Sequence, residues 1–238
     1  MAPTIATFDF NELSFGATTI QTRSGGRCVQ VGYGPTRDQV FFQLGRSPRE
    51  TLSCAWGAEL ANKDDPTSGM VVKCELDSEA HDFLERFDRA MVAAATEHSQ
   101  GWFNRPTPTH THNSFIKPQA GTRPDGTPRP DVVKLKLKEE GSRATEVFVA
   151  TWRGEKLSTA VRGSLSDITK GARVLPLVRV QSGVYFVSRT YGCSLEAAKV
   201  LVVLNETASC NCAHDFDYGD VVMDDTEDAD DDADSQHS

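Results

Sequence analysis

The chain has 238 residues, 38% of them hydrophobic and 25% charged, with a formal net charge of −9. That length allows one large domain or two small ones, and the longest purely apolar run, "VLVVL" at 200–204, is far short of the roughly 20 residues of a membrane helix, so no membrane partner is expected. The opening "MAPTIATFDFNE" has neither a basic flank nor an apolar core and predicts no secretory signal. The six scattered cysteines (28, 54, 74, 193, 210 and 212) read as reduced thiols of an intracellular protein.

The net charge misleads until it is divided along the chain. Residues 215–238 hold 11 acidic side chains and no Lys or Arg, which leaves a body with 25 basic residues against 23 acidic ones. Within that body, residues 101–200 hold 16 basic against 8 acidic, and residues 1–100 hold 9 against 14. A basic second half with a separate acidic tail is compatible with an anionic partner despite a pI near 5.2.

In chain order, residues 1–20 read as an N-terminal arm. "RCVQVGY" (27–33) and "QVFFQLG" (39–45) flank the turn signal "GPTRD", at the spacing of a hairpin. "MVVKCEL" (70–76) is a further strand. In 78–99, Phe83, Leu84, Phe87, Met91, Ala94 and Ala95 recur at steps of three and four and make one apolar helical face. Asp77 or Ser78 caps that helix, with Glu79 and Asp82 in its first turn, where negative charge suits the dipole. Residues 104–131 contain six of the eleven prolines and read as a long loop. Strands resume at 132–138, 145–152, 172–180, 183–191 and 199–205, and Pro176 suggests an edge or a bulge. From 206 onward a linker leads into a tail with too little apolar content to fold. Many strands and one helix favour a barrel or a sandwich over an α/β sheet.

Little in the sequence supports catalysis. No phosphate-cradling Gly-rich loop is followed by Lys-Ser/Thr, there is no nucleophile elbow and no HExxH, and the acidic pairs of the body sit beside turn residues. No enzyme and no cofactor are expected. "CNCAHD" would put Cys210, Cys212 and His214 on one face of an extended chain, and "THTH" does the same for His110 and His112, but neither shows the paired spacing of a structural zinc site.

The basic strands are more informative. Alternation puts Lys134, Lys136 and Lys138 on one face of their strand and Val133, Leu135 and Leu137 on the other. Trp152, Arg153, Arg173 and Arg179 follow. If 183–191 is one strand, Tyr185, Arg189 and Tyr191 share a face, opposite Val184 and Phe186. Cations beside exposed aromatic rings are what sequence-independent binders of single strands use, tracking phosphates with one and stacking bases on the other. An ordinary solvated face, with the tyrosines packed under the long loop, would carry the same residues.

The order of segments resembles the single-stranded DNA-binding proteins of large nucleocytoplasmic DNA viruses, themselves distantly similar to those of T-odd bacteriophages. The resemblance rests on "GGRCVQVGYG", the helix ending in "SQGWF", "VVKLKLK" and above all "KGARVLPLVRVQSGVYFVSRTYGCSLEAAKVLV" at 170–202. It departs in ending "DSQHS" instead of in an aromatic residue. It implies an OB-fold-like barrel over 21–205 with the 78–99 helix appended. It also implies single-stranded DNA binding in viral replication, repair or recombination, with phosphate contacts from Lys134, Lys136, Lys138, Arg153, Arg173, Arg179 and Arg189. Trp152, Tyr185 and Tyr191 would stack on bases. The tail would compete for the groove and recruit replication proteins; a homodimer, and action in the host nucleus or a cytoplasmic viral factory, are further expectations. The alternatives are an RNA-binding module, or a virion or interaction protein that works through its tail.

Overall fold

In the computed structural model, residues 2–22 and 25–205 are described. The fold is mainly β, with one long helix, and five strands close on themselves: β1 (Leu52–Leu60), β2 (Met70–Glu75), β3 (Val132–Leu137), β4 (Arg173–Val187) and β5 (Thr190–Asn205). β1 pairs with β2, β2 with β3, β5 with β4 and β4 with β1, all antiparallel, while β3 and β5 run parallel. The ring order is therefore β1-β2-β3-β5-β4 and back to β1. This is an OB-fold-like barrel, in which closure removes the exposed edges that an open sheet of this size would leave.

Alternation sets the inside and outside of each wall. On β3, Val133, Leu135 and Leu137 are buried while Lys134 and Lys136 are exposed, as the period of two requires. On β2, Val72 and Cys74 enter the core while Lys73 lies outside. Helix α1 (Ser78–Glu97) follows β2; the Asp77 carboxylate caps it, accepting from the Ala80 N–H at 2.8 Å. Its apolar face carries Phe83, Leu84, Phe87 and Met91 into the core, where Phe83 meets Phe42 at 4.9 Å and Phe87 meets Phe115 at 5.4 Å. Each such ring contributes about 1.5–3 kcal/mol by leaving water. Phe8, from the N-terminal stretch, joins the same cluster.

Four expectations are corrected. Residues 27–33 and 39–45 do not form a hairpin with each other: a bridge between Tyr33 and Asp38 closes the turn, but Phe41–Gln43 leaves to pair with Leu177–Arg179 of β4. The strand expected at 27–33 is two, Arg27–Val29 beside β4 and Val31–Tyr33 beside Leu13–Phe15. Residues 172–180 and most of 183–191 are one continuous strand, β4; Pro176 sits inside it, one residue before a register shift, and its carbonyl accepts from the Leu44 N–H at 2.9 Å. Finally, 183–191 is not a single strand. The chain reverses at Val187–Thr190 through Ser188, whose φ is 54°, a conformation that costs a non-glycine residue on the order of 1 kcal/mol. Among the described residues no helix is long and apolar enough to cross a membrane.

Candidate nucleic-acid interface

The reversal at Ser188 decides which residues meet. Cross-strand partners in an antiparallel ladder share a face; Tyr185 lies opposite Gly192, and Phe186 opposite Tyr191. Tyr185 and Tyr191 are therefore on opposite faces of the hairpin. Tyr191 is only 2% exposed and packs against Trp102, Phe103 and His112, at ring separations of 6.4, 5.5 and 5.3 Å. Burial, helped by the charge of Asp88, pushes its phenol above its ordinary pKa. Tyr185 is half-buried and borders open space.

A bulge prepares that position. Between Gln181 and Tyr185 the pairing of β4 with β5 slips, and Gly183 takes a φ of 114°, where a Cβ would lie 2.0 Å from the Val29 carbonyl oxygen. Only glycine lets the strand Arg27–Val29 approach β4 so closely. Arg27 thereby reaches the hairpin: its guanidinium sits 5.8 Å from the Phe186 ring and is held by the Trp102 carbonyl at 2.9 Å.

Around Tyr185 lies a cleft of about 220 Å³, lined by Asn113, Lys117, Lys134, Lys136 and Ser194 among others. It continues into a hollow of about 410 Å³ bordered by Arg27, Gln181, Phe186 and again Lys136 and Tyr185. Asn113 bridges the two kinds of group: its Nδ2 donates to the Tyr185 hydroxyl at 2.5 Å, and its Oδ1 accepts from Lys117 Nζ at 2.5 Å. Lys136 Nζ donates to Gln181 Oε1 at 3.0 Å. Both ammonium groups titrate below the ordinary lysine range. For Lys136 the main cause is partial burial, followed by repulsion from Lys138, with Glu196 opposing. For Lys117 it is again burial, with Asp88 opposing and Lys134 adding repulsion. Closely set cations with incomplete neutralisation form a field that attracts anions.

The remaining residues singled out from the sequence are dispersed. Lys138 is exposed just beyond the end of β3, and Arg189 is exposed in the turn. Arg179 is mostly buried, with Nη2 against Glu196 Oε1, and Glu196 is fully buried, so this cation is already committed. The Arg173 Nε donates to Thr51 Oγ1 at 2.8 Å. Trp152 and Arg153 end the strand Glu146–Arg153, where Trp152 lies opposite Asn205 of β5 and under the Arg49 guanidinium at 4.6 Å. Asn205 is thirteen residues along β5 from the Gly192 that faces Tyr185, about 40 Å at the rise of a strand. Lys134, Lys136 and Tyr185 are thus brought together, and Trp152, Arg153 and Arg173 stand apart from them.

His110 stacks on Phe103 at 5.3 Å, and His112 faces Asp88 at 2.8 Å, so the two histidines of "THTH" serve different neighbours. Cys210, Cys212 and His214 lie outside the described residues. Arg27, Lys117 and Asn113 were not singled out from the sequence, and Phe186, expected on the core side, packs against Trp102 and Phe103 while bordering the second hollow. Arg27 stands in the quoted "GGRCVQVGYG", but nothing local marks Lys117 or Asn113, which reach the cleft from the proline-rich loop.

No protein-family model matches the chain, and no curated protein matches it. Solved structures of a single-stranded DNA-binding protein from bacteriophage Enc34 are similar to it at 12% identity. A C-terminally truncated form gives a TM-score of 0.37 and covers 82% of this chain and 94% of that one. The same protein in complex with ssDNA gives 0.38, covering 78% and 93%. Likeness this distant leaves the function to be read from the chain's own residues.

Proposed function

We propose that this chain binds single-stranded DNA through the cleft around Tyr185, without sequence preference and without catalysing a reaction. One observation carries the reading: Arg27, Lys117, Lys134 and Lys136 border two adjoining hollows outside the barrel that share Lys136 and the partly exposed Tyr185 ring, with an edge of Phe186 at the second. The cations neutralise phosphates and the rings stack on bases, which only an unpaired strand offers. DNA is preferred over RNA because the block at 170–202 resembles viral single-stranded DNA-binding proteins. The process served is then viral replication, repair or recombination, in the host nucleus or a cytoplasmic factory. Residues 215–238, with 11 carboxylates, compete with the strand for the cleft and recruit replication proteins.

The test is a titration of fluorescent oligo-dT with the full chain and with a form ending at His214, across a salt series. With four phosphates neutralised, log K falls with log salt at a slope of about −3. The shortened form binds more tightly, and duplex DNA and oligo-U compete less well than oligo-dT. Tyr185→Ala weakens binding by about 1–3 kcal/mol. Absence of binding by either form at low salt refutes the reading.

A further inference from the structure

A second aromatic station, with no counterpart among the residues read from the sequence, lies on the wall that the basic strands share. β1 carries Trp56, whose 41% exposure is unusual for so large an apolar residue. The reason is a break in the ladder. β1 and β2 are in register at Cys54 opposite Cys74 and again at Ala58 opposite Val72, so three residues of β1 face one of β2. Gly57 absorbs the excess with a φ of 77°, and a Cβ there would lie 2.7 Å from the Ile168 carbonyl oxygen. Bulges of this kind re-aim a side chain, and here the indole is turned out of the barrel.

What surrounds Trp56 identifies a ligand class. Lys73 Nζ sits 5.2 Å from the indole centroid, and Lys73 lies directly opposite Lys134 across β2 and β3. Lys134 lines the cleft with Lys117, Lys136 and Tyr185. A row of ammonium groups thus links Trp56 to Tyr185 across three adjacent strands, an aromatic surface at each end. A carboxylate of the same strand, Glu59, stands three residues beyond Trp56. It pairs with Lys73 at 2.9 Å and with Lys63 at 3.9 Å, so it adds little net repulsion; unlike the buried Arg179–Glu196 pair, this one is partly open to solvent, and Lys73 can share its ammonium between Glu59 and a phosphate.

We infer that Trp56 is a base-stacking residue and that the bound strand runs from Tyr185 across Lys136, Lys134 and Lys73 to reach it. The inference rests on the proposed function and extends it by fixing the path: across the β1-β2-β3 wall of the barrel, away from Trp152. Its ligand is a single strand long enough to span both rings.

Tryptophan fluorescence gives a direct test. The chain has three tryptophans; Trp102 is fully buried, its indole N–H donating to the Gly16 carbonyl at 2.8 Å. With Trp152→Phe removing the third, quenching by oligo-dT reports on Trp56. The expected result is saturable quenching in that variant. Trp56→Ala weakens oligo-dT by about 5- to 160-fold, the equivalent of one stacked base, and Trp56→Phe recovers most of the loss. A very short oligonucleotide, unable to span both rings, loses much less. Unchanged fluorescence on saturation, or Trp56→Ala within twofold of the parent while Tyr185→Ala is impaired, overturns the path and leaves the proposed function standing. If the parent chain binds no oligo-dT, both fall. The quenching measurement needs no substitution at Trp56, so a Trp56→Ala chain that fails to fold does not remove the test.

Discussion

Asp88 gives the sharpest test of how the cleft is held. It sits on the buried face of α1 with its side chain only 10% exposed. It accepts from His112 Nε2 at 2.8 Å, from the Ser114 hydroxyl at 2.5 Å and from the Phe115 N–H at 3.1 Å. These three donors belong to the loop that also supplies Asn113 and Lys117 to the cleft. Asp88→Ala strands a buried backbone N–H, a hydroxyl and an imidazole at once. A buried donor without a partner costs about 1–3 kcal/mol, and a hydrogen bond to a charged group contributes about 1.5–3 kcal/mol. These overlap, so the expected loss is about 3–5 kcal/mol. That is a large fraction of the roughly 5–15 kcal/mol typical of a folded domain. Asp88→Asn keeps the shape and one acceptor oxygen and should recover about half.

Guanidinium unfolding followed by tryptophan emission measures the stability change. Oligo-dT titration of the still-folded Asp88→Asn chain measures the functional one, expected as weaker binding because Asn113 no longer fixes Tyr185 and Lys117. His112→Ala should cost less in the Asp88→Ala background than in the parent, since both remove the same contact. A loss below about 1 kcal/mol in Asp88→Ala would refute the reasoning and show that the loop is held by its packing alone.

Two further outcomes follow from local geometry. Ser188→Gly removes the cost of a positive φ at an exposed turn and should stabilise the fold by about 0.5–1 kcal/mol, read as a rise in Tm; a fall would mean that the hydroxyl has an unrecognised role. Because Lys117 and Lys136 titrate below the ordinary lysine range, their charges are complete below those depressed values and are lost as pH rises through them. DNA affinity should therefore begin to fall in the alkaline range below the pKa of about 10.4 at which ordinary lysines lose their protons. Bound phosphate favours the charged form, so calorimetry in buffers of different ionisation enthalpy should detect proton uptake on binding in that range; no uptake would argue that neither ammonium meets phosphate.

Much of the fold was written in local pattern. Helix α1 is legible because Phe83, Leu84, Phe87 and Met91 repeat with the helical period and Asp77 caps them. β3 is legible because its lysines and aliphatics alternate, and this also fixes which way Lys134 and Lys136 point. Strand β1 is not legible. "LSCAWGAEL" has no clean alternation, since three of its residues answer one on β2, and Gly57 there reads as a loop signal. The hairpin at Ser188 is illegible for a related reason: Ser-Arg is not one of the dipeptides that announce a tight reversal, so local alternation runs Tyr185 and Tyr191 along one strand and onto one face.

What the sequence determined by itself is the content of each segment: which residues are apolar, which are charged, and with what period. What only the tertiary structure decided is which segments meet. Arg27, Lys117, Lys134 and Tyr185 span nearly 160 positions and come together through the closure of the barrel, the bulge at Gly183 and the Asp88 anchor of the loop. The same closure buries Tyr191 and carries Trp152 to the far end of β5. Periodicity is a property of one strand and its two faces, but a site is made by neighbours across strands, and pairing register is set by long-range burial that no local window contains.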